Sequence, residues 1–195
     1  DLSMNASFGY AVSVSGEHIA VGAPSTAEGG AVYLFERNAG GSADSWSLAA
    51  RIPFPGGETT SQFGAAVSLW HDRLLVGAPM IGAGTGLAYI FERNQSGGDA
   101  WGFVHVLTPG DSAPGDVFGW SVALHNDTAF VGAPADDDAA TGAGVAFVFE
   151  RNAHSPADSW SLRARLHAPD AVANEAFGMS VALWNDAAVV GAPNA

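Results

Sequence analysis

FGYAVSVSGEHIAVGAP, residues Phe8 to Pro24, recurs as FGAAVSLWHDRLLVGAP (Phe63 to Pro79), FGWSVALHNDTAFVGAP (Phe118 to Pro134) and FGMSVALWNDAAVVGAP (Phe177 to Pro193). The copies contain no insertion and begin 55, 55 and 59 residues apart. Self-similarity at such a period marks a repeat architecture, so the reading of one copy is the reading of the chain. Within the copy, Val12 and Val14 alternate with Ala11 and Ser13, as do Val67 and Leu69, Val122 and Leu124, and Val181 and Leu183 in their own copies. Period two predicts a half-buried strand. Two turn residues follow each time, Gly16-Glu17, His71-Asp72, Asn126-Asp127 and Asn185-Asp186. Flanked by apolar runs, they predict a tight hairpin. The second strand covers 18–21, 73–76, 128–131 and 187–190, and Gly-Ala-Pro ends it because proline has no N–H for a sheet ladder.

Outside the copies the pattern continues. A third strand is predicted at AVYLFERN (31–38), LAYIFERN (87–94) and VAFVFERN (145–152), and a fourth opens at Trp46, Trp101 or Trp160. Linkers rich in Pro, Gly and acidic residues lead to the next Phe-Gly pair. Four antiparallel strands per repeat predict the blade of a β-propeller, with strand one innermost. The small Ala11, Ala66, Ser121 and Ser180 suit crowding near an axis, and the repeated Phe is expected to wedge between blades. Gly9, Gly64, Gly119 and Gly178 are expected where backbone meets backbone, with Gly22, Gly77, Gly132 and Gly191 at the other end of the hairpin. The fold class is therefore all-β, part of one β-propeller, with repeats at 8–62, 63–117, 118–176 and a partial one at 177–195. Three complete blades and a half blade do not close a ring. The expectation is a segment of a longer propeller or a chain that associates with another copy.

Composition bounds the partners. The chain of 195 residues carries a formal charge of -13, from 20 acidic groups against seven arginines and no lysine. That balance argues against nucleic acid and against an anionic membrane surface. No apolar run approaches the roughly 20 residues of a membrane-spanning helix, so no membrane insertion is expected. Cysteine is absent, which removes thiol chemistry and leaves the redox compartment open. No Gly-x-Ser-x-Gly elbow, His-Glu-x-x-His pair or phosphate-cradling loop followed by Lys is present, so no catalytic residue is assigned and no enzyme is expected.

Phe-Gly followed, after a strand hairpin, by Gly-Ala-Pro resembles the FG-GAP repeats of integrin alpha subunits and of many bacterial and archaeal surface proteins. The bacterial variety, FGxSVAL…NDTxxVGAP followed by a VFER strand and a Trp strand, is the nearer likeness. The resemblance implies a secreted or cell-surface propeller that engages a protein or glycan partner. Integrin-type hairpins often hold a calcium loop of the form DxDxDG, whereas these hairpins hold two residues, and one carboxylate cannot supply the six to eight oxygens calcium takes. Asp72, Asp127 and Asp186 therefore read as turn residues, and the family's calcium role is not transferred.

The remaining acidic cluster is Asp136-Asp137-Asp138, in a loop that differs between repeats. A short charge run is ordinarily a solvated surface. Curled, the same run offers oxygen ligands, so Asp136 and Asp138 stand as calcium candidates while no metal or other cofactor is expected. Loops after strand two share a face with the linkers, which carry Glu58, Asp111, Asp116, Asp170 and Glu175. That face is expected to be negative, and Asp111, Asp116, Asp136, Asp137 and Asp138 are the ligand-binding candidates. The opposite face, with Arg37, Arg93 and Arg151, is expected to be mixed. The Glu-Arg pairs (36–37, 92–93, 150–151) read as inter-blade or edge contacts and the three strand-opening tryptophans as packing residues. The chain is thus read as a binding or adhesion module acting through variable loops, the alternative being an assembly unit that forms rings or filaments through its incomplete terminal blade.

Overall fold

The computed structural model describes residues 6–38, 44–94, 100–152 and 159–195. The turns between strands three and four fall largely outside those residues. Blade 1 is β1 (Val12–Ser15), β2 (His18–Ala23), β3 (Ala31–Arg37) and β4 (Trp46–Pro53); blade 2 is β5 (Ala66–Trp70), β6 (Arg73–Ala78), β7 (Leu87–Arg93) and β8 (Trp101–Leu107). Blade 3 is β9 (Ser121–His125), β10 (Thr128–Ala133), β11 (Val145–Asn152) and β12 (Ser159–Leu166), and a hairpin follows, β13 (Ser180–Trp184) with β14 (Ala187–Gly191). Each sheet is antiparallel with its strands in sequence order. This is part of a β-propeller, with the first strands β1, β5, β9 and β13 adjacent along its inner side.

The second strand runs further than expected. In β2, Gly22 pairs with Val32 and Ala23 with Ala31, and β6 and β10 extend in the same way. Glycine and alanine both donate to the ladder, so only Pro24 and its equivalents stop it. The first hairpin residue is left-handed in every copy, at φ 57 for Gly16, 50 for His71, 51 for Asn126 and 50 for Asn185.

The glycines lie otherwise than the hairpin reading placed them. The Phe-Gly glycine begins strand one and the Gly-Ala-Pro glycine ends strand two, so an antiparallel hairpin brings them to one end. They meet across the blade boundary. A Cβ built on Gly22 would lie 2.0 Å from the Gly64 carbonyl oxygen, one on Gly77 1.9 Å from that of Gly119, and one on Gly132 2.0 Å from that of Gly178. Gly64 also has φ 92 inside a turn closed by the Ala65 amide donating to the Gln62 carbonyl at 3.0 Å. With Phe63 and Gly64 as its central residues, this is a type II turn, which requires glycine at the second of them.

With backbones this close, the phenylalanines of the turns that lie between blades, Phe63 and Phe118, are driven into the seam. Phe63 is fully buried, its ring 5.8 Å from Phe54, 5.6 Å from Tyr89 and 5.9 Å from Phe91. Phe118 is equally buried against Phe147 and Phe149. The core thus lies between blades: Leu34 and Val32 of blade 1 share one cluster with Val67, Leu74 and Phe91 of blade 2. Near the axis serine hydroxyls stitch neighbouring first strands. Ser13 Oγ accepts from the Leu69 amide and Ser68 Oγ from the Leu124 amide, each at 2.9 Å.

Gly77→Ala is expected to destabilise the protein by about 3 kcal/mol or more, because backbone must move to admit the methyl group. Gly57→Ala, where a Cβ meets nothing within 4 Å, is expected to change stability by less than about 1 kcal/mol. Urea unfolding of the two variants checks the contrast.

Candidate functional site

The loops between second and third strands and the linkers between repeats lie at the glycine end of the hairpins. They gather the carboxylates the sequence singled out. Asp111, Asp137 and Asp138 are exposed, whereas Asp116 and Asp136 are buried at 7% and 5% exposure. Burial distinguishes residues that the sequence presents as one acidic run.

Each carboxylate has its own partner. Asp136 Oδ1 accepts from the Asp138 amide at 2.9 Å, Asp137 Oδ1 from the Gly142 amide at 2.6 Å, and Asp116 Oδ2 from the Ala113 amide at 2.6 Å. Arg165, on β12, joins the linker to the loop. Its guanidinium pairs with Asp111 and, at 3.4 Å, with Asp138, donates to the Pro109 carbonyl at 3.3 Å, and lies 5.7 Å above the Phe147 ring. The calcium candidates Asp136 and Asp138 are drawn to different partners, a backbone amide and a guanidinium. Among the described residues no three His, Asp or Glu side chains converge as metal ligands would.

Burial pushes the Asp136 carboxyl up to about 6; the hydrogen bond from Asp138 opposes this, and the charges of Asp138, Asp116 and Asp111 add to it. Burial also raises Asp116, against its bond from Ala113 and with the charges of Asp137, Asp138 and Asp111. The linker position two before each Phe-Gly is buried in every repeat, as Ala6, Ser61, Asp116 and Glu175. Ser61 donates to the Gly29 carbonyl and Glu175 accepts from the Val172 amide at 3.1 Å, so this position anchors the linker.

Beside the acidic loop, Val117, Trp120, Pro134 and Ala135 of blade 3 and Ala176 and Met179 of the last hairpin line a shallow apolar niche of about 260 Å³. The sequence reading did not find it. Its only signal is that Trp120 and Met179 occupy the same place, directly after Phe-Gly, where the first two repeats have Tyr10 and Ala65.

At the hairpin end the Glu-Arg pairs bridge blades. Arg93 of blade 2 bonds Glu36 of blade 1 at 2.9 Å, and Arg151 of blade 3 reaches Glu92 of blade 2 at 3.5 Å. Arg73 joins the same network through Glu92 and Asp127, each at 2.8 Å. The three strand-opening tryptophans differ: Trp160 is buried, Trp101 packs partly buried against the blade 1/blade 2 core, and Trp46 is 43% exposed. A further cluster was not legible as a motif: His125 lies 3.9 Å from Trp70 and 5.1 Å from Trp184 by ring centroids, all three being the last residue of a first strand.

A carboxyl whose folded pKa exceeds its unfolded value binds more protons in the native state between the two. Its contribution therefore lowers stability as pH rises from about 4 to about 6 and is constant above. Asp136→Asn keeps the acceptor oxygen and removes this loss. Relative to wild type it is expected to gain on the order of 2 kcal/mol at pH 7.5 over its value at pH 4, measured by urea unfolding at both pH values.

A search of characterised proteins finds none that matches this chain. The family model for the FG-GAP repeat matches residues 1–35, 46–91, 101–149 and 160–195, and each of the last three matches opens in the outer strand of one blade and runs into the inner strands of the next sheet. With four matches spanning most of its length, the chain belongs to the FG-GAP repeat family.

Proposed function

We propose that this propeller segment is a non-catalytic binding or adhesion module, secreted or held at a cell surface, that engages a protein or glycan partner through its loop face. The observation that carries the reading is the division of labour between the two ends of the blades. At the hairpin end every turn has two residues, and the Glu-Arg network ties the blades together. At the loop end the segments differ in length and chemistry, the exposed acids collect, and an apolar niche opens beside them. An apolar recess with a charged rim is the usual anatomy of a recognition surface. No helix among the described residues is long and apolar enough to cross a membrane.

The test is a screen of the 195-residue chain against a glycan array and a panel of secreted proteins, followed by variants on each face. Asp137→Asn with Asp138→Asn is expected to weaken any captured partner about tenfold and to flatten its salt dependence. Glu17→Gln, at the hairpin end, is expected to leave binding unchanged. Capture of nothing, or sensitivity only to Glu17, would remove the reading.

A second reading, an assembly unit, is favoured by apolar exposure on the outer sides of the first and last sheets. Tyr10, Val12 and Val14 are 62%, 64% and 65% exposed on one side, and Trp184 and Val189 are 66% and 69% exposed on the other. Val12 and Val14 occupy the places at which Val67 and Leu69 are buried against blade 1. If these sides join copies, sedimentation velocity gives species larger than 19.8 kDa, and Val12→Glu with Val14→Glu returns them to monomer. A monomer at all concentrations ends this reading and leaves the first intact.

A further inference from the structure

Toward the loop end of blades 1 and 3, an arginine on the outer strand faces an aromatic ring on the strand beside it. Tyr33 stands opposite Arg51, and Phe147 opposite Arg165. In both blades the guanidinium covers the ring, its carbon 5.8 Å from the Tyr33 centroid and 5.7 Å from that of Phe147. Carboxylates hold it there: Glu28 at 2.7 Å for Arg51, and Asp111 and Asp138 for Arg165. Arg51 Nε also donates to the Tyr33 hydroxyl at 3.3 Å. A guanidinium is planar and weakly hydrated, so it stacks on aromatic faces at a half-buried seam where an ammonium would keep its water.

Blade 2 keeps the ring and lacks the arginine. Tyr89 stands opposite Val106, and Pro55, Gly56, Tyr89, Phe103 and Val106 line a recess of about 370 Å³ between blade 2 and the linker that precedes it. The recess lies where Arg165 lies in blade 3. Pro55 and Gly56 are the repeat equivalents of Gly110 and Asp111, and Asp111 is a partner of Arg165. Two further differences accompany the loss of the arginine. Phe103 stands opposite Phe91 where blades 1 and 3 place Leu48 and Leu162, and it adds an exposed second ring 6.4 Å from Tyr89. Glu58, two residues along the linker from Gly56, accepts from the Gly82 amide at 3.1 Å. Burial, with the charge of Glu58 adding to it, pushes the Tyr89 hydroxyl up to about 12.

We infer that this recess is a binding site for an arginine side chain supplied by a separate polypeptide. The guanidinium takes the place that Arg51 and Arg165 hold in their own blades, against Tyr89 and Phe103, with Glu58 as its countercharge and the Tyr89 hydroxyl as an acceptor. Two rings favour a planar cation over the compact, strongly hydrated ammonium of lysine. A neutral apolar side chain fills the same space and gains nothing from Glu58. The formal charge of -13 favours approach of a cation from solution. The site lies one seam away from the acidic loop of blade 3, and it does not depend on capture of a partner there.

The experiment titrates the 195-residue chain with the peptide Gly-Arg-Gly, blocked at both ends, and follows the amide resonances of Gly56, Tyr89, Phe103 and Val106 by NMR. The expected result is saturable shifts at these amides and binding about fivefold weaker when the peptide arginine is replaced by lysine or by citrulline, which keeps the shape and removes the charge. Val106→Arg is expected to abolish binding by supplying the guanidinium within the blade, as Arg51 and Arg165 do. Glu58→Gln is expected to weaken binding about threefold and to flatten its salt dependence. Should Val106→Arg fail to fold, the citrulline peptide and Glu58→Gln still decide. Asp137→Asn with Asp138→Asn is expected to leave the peptide's affinity unchanged. Four results overturn the proposal: no saturable shift, equal binding of the citrulline peptide, undiminished binding by folded Val106→Arg, or loss of binding in the Asp137 and Asp138 variant, which places the peptide on the acidic loop instead.

Discussion

Two glycines from adjacent blades, one opening a first strand and one closing a second, are in backbone contact, and the packing of the blades depends on that approach. The Gly119 carbonyl oxygen stands 1.9 Å from where a Gly77 side chain would begin. Nothing larger than hydrogen fits, so the contact sets how far apart two blades lie at this end. The rest follows at that separation. Phe63 and Phe118 are enclosed on all sides, serine hydroxyls reach the amides of the next first strand, and arginines span to the glutamate one blade back. Dispersion contacts fall away steeply with small gaps. A seam held apart by one methyl group would therefore weaken all of these at once, which is why Phe-Gly before the hairpin and Gly-Ala-Pro after it recur so strictly within this chain.

Much of this was legible because a repeat displays its own constraints. A position that must be glycine in one blade must be glycine in the next, and the same holds for the buried Phe, the two-residue turn and the Glu-Arg pair. The strands, their order and the bridging role of Arg93 and Arg151 could therefore be read from recurrence. Recurrence does not locate the glycine contact: it marks Gly22 and Gly64 alike, and only the antiparallel return of the hairpin brings the Gly-Ala-Pro glycine to the Phe-Gly end.

Recurrence is blind where equivalent positions hold unlike residues. Ser15, Trp70, His125 and Trp184 share one repeat position, and the ring cluster that three of them form has no pattern to announce it. Ala6, Ser61, Asp116 and Glu175 are likewise one buried anchor written in four residue types. The acidic run reads as a unit because its residues adjoin, yet neighbours in an irregular loop point apart, and of the three only Asp136 is buried. Asp111, Asp116 and Asp136 to Asp138 do share a face, as their places in the repeat require. Their differing burial comes from tertiary packing that no local pattern encodes.

The distribution of charge follows from the frame. All seven arginines are paired, and most lie toward the hairpin end: Arg73, Arg93 and Arg151 in the bridging network, Arg37 with Asp44, and Arg163 with Glu150. Only Arg51, with Glu28, and Arg165, with Asp111 and Asp138, stand toward the loops. Holding the blades together thus draws cations to one end and leaves the other with carboxylates that have few countercharges. Burial raises the carboxyls of both Asp116 and Asp136, and the charges of their acidic neighbours add to the shift. What remains exposed, Asp137 and Asp138 above all, projects a negative field from the side on which the loops differ. A partner approaching that side meets attraction if it is basic and repulsion if it is a polyanion. The polarity of the surface is thus a by-product of where the frame needs its arginines.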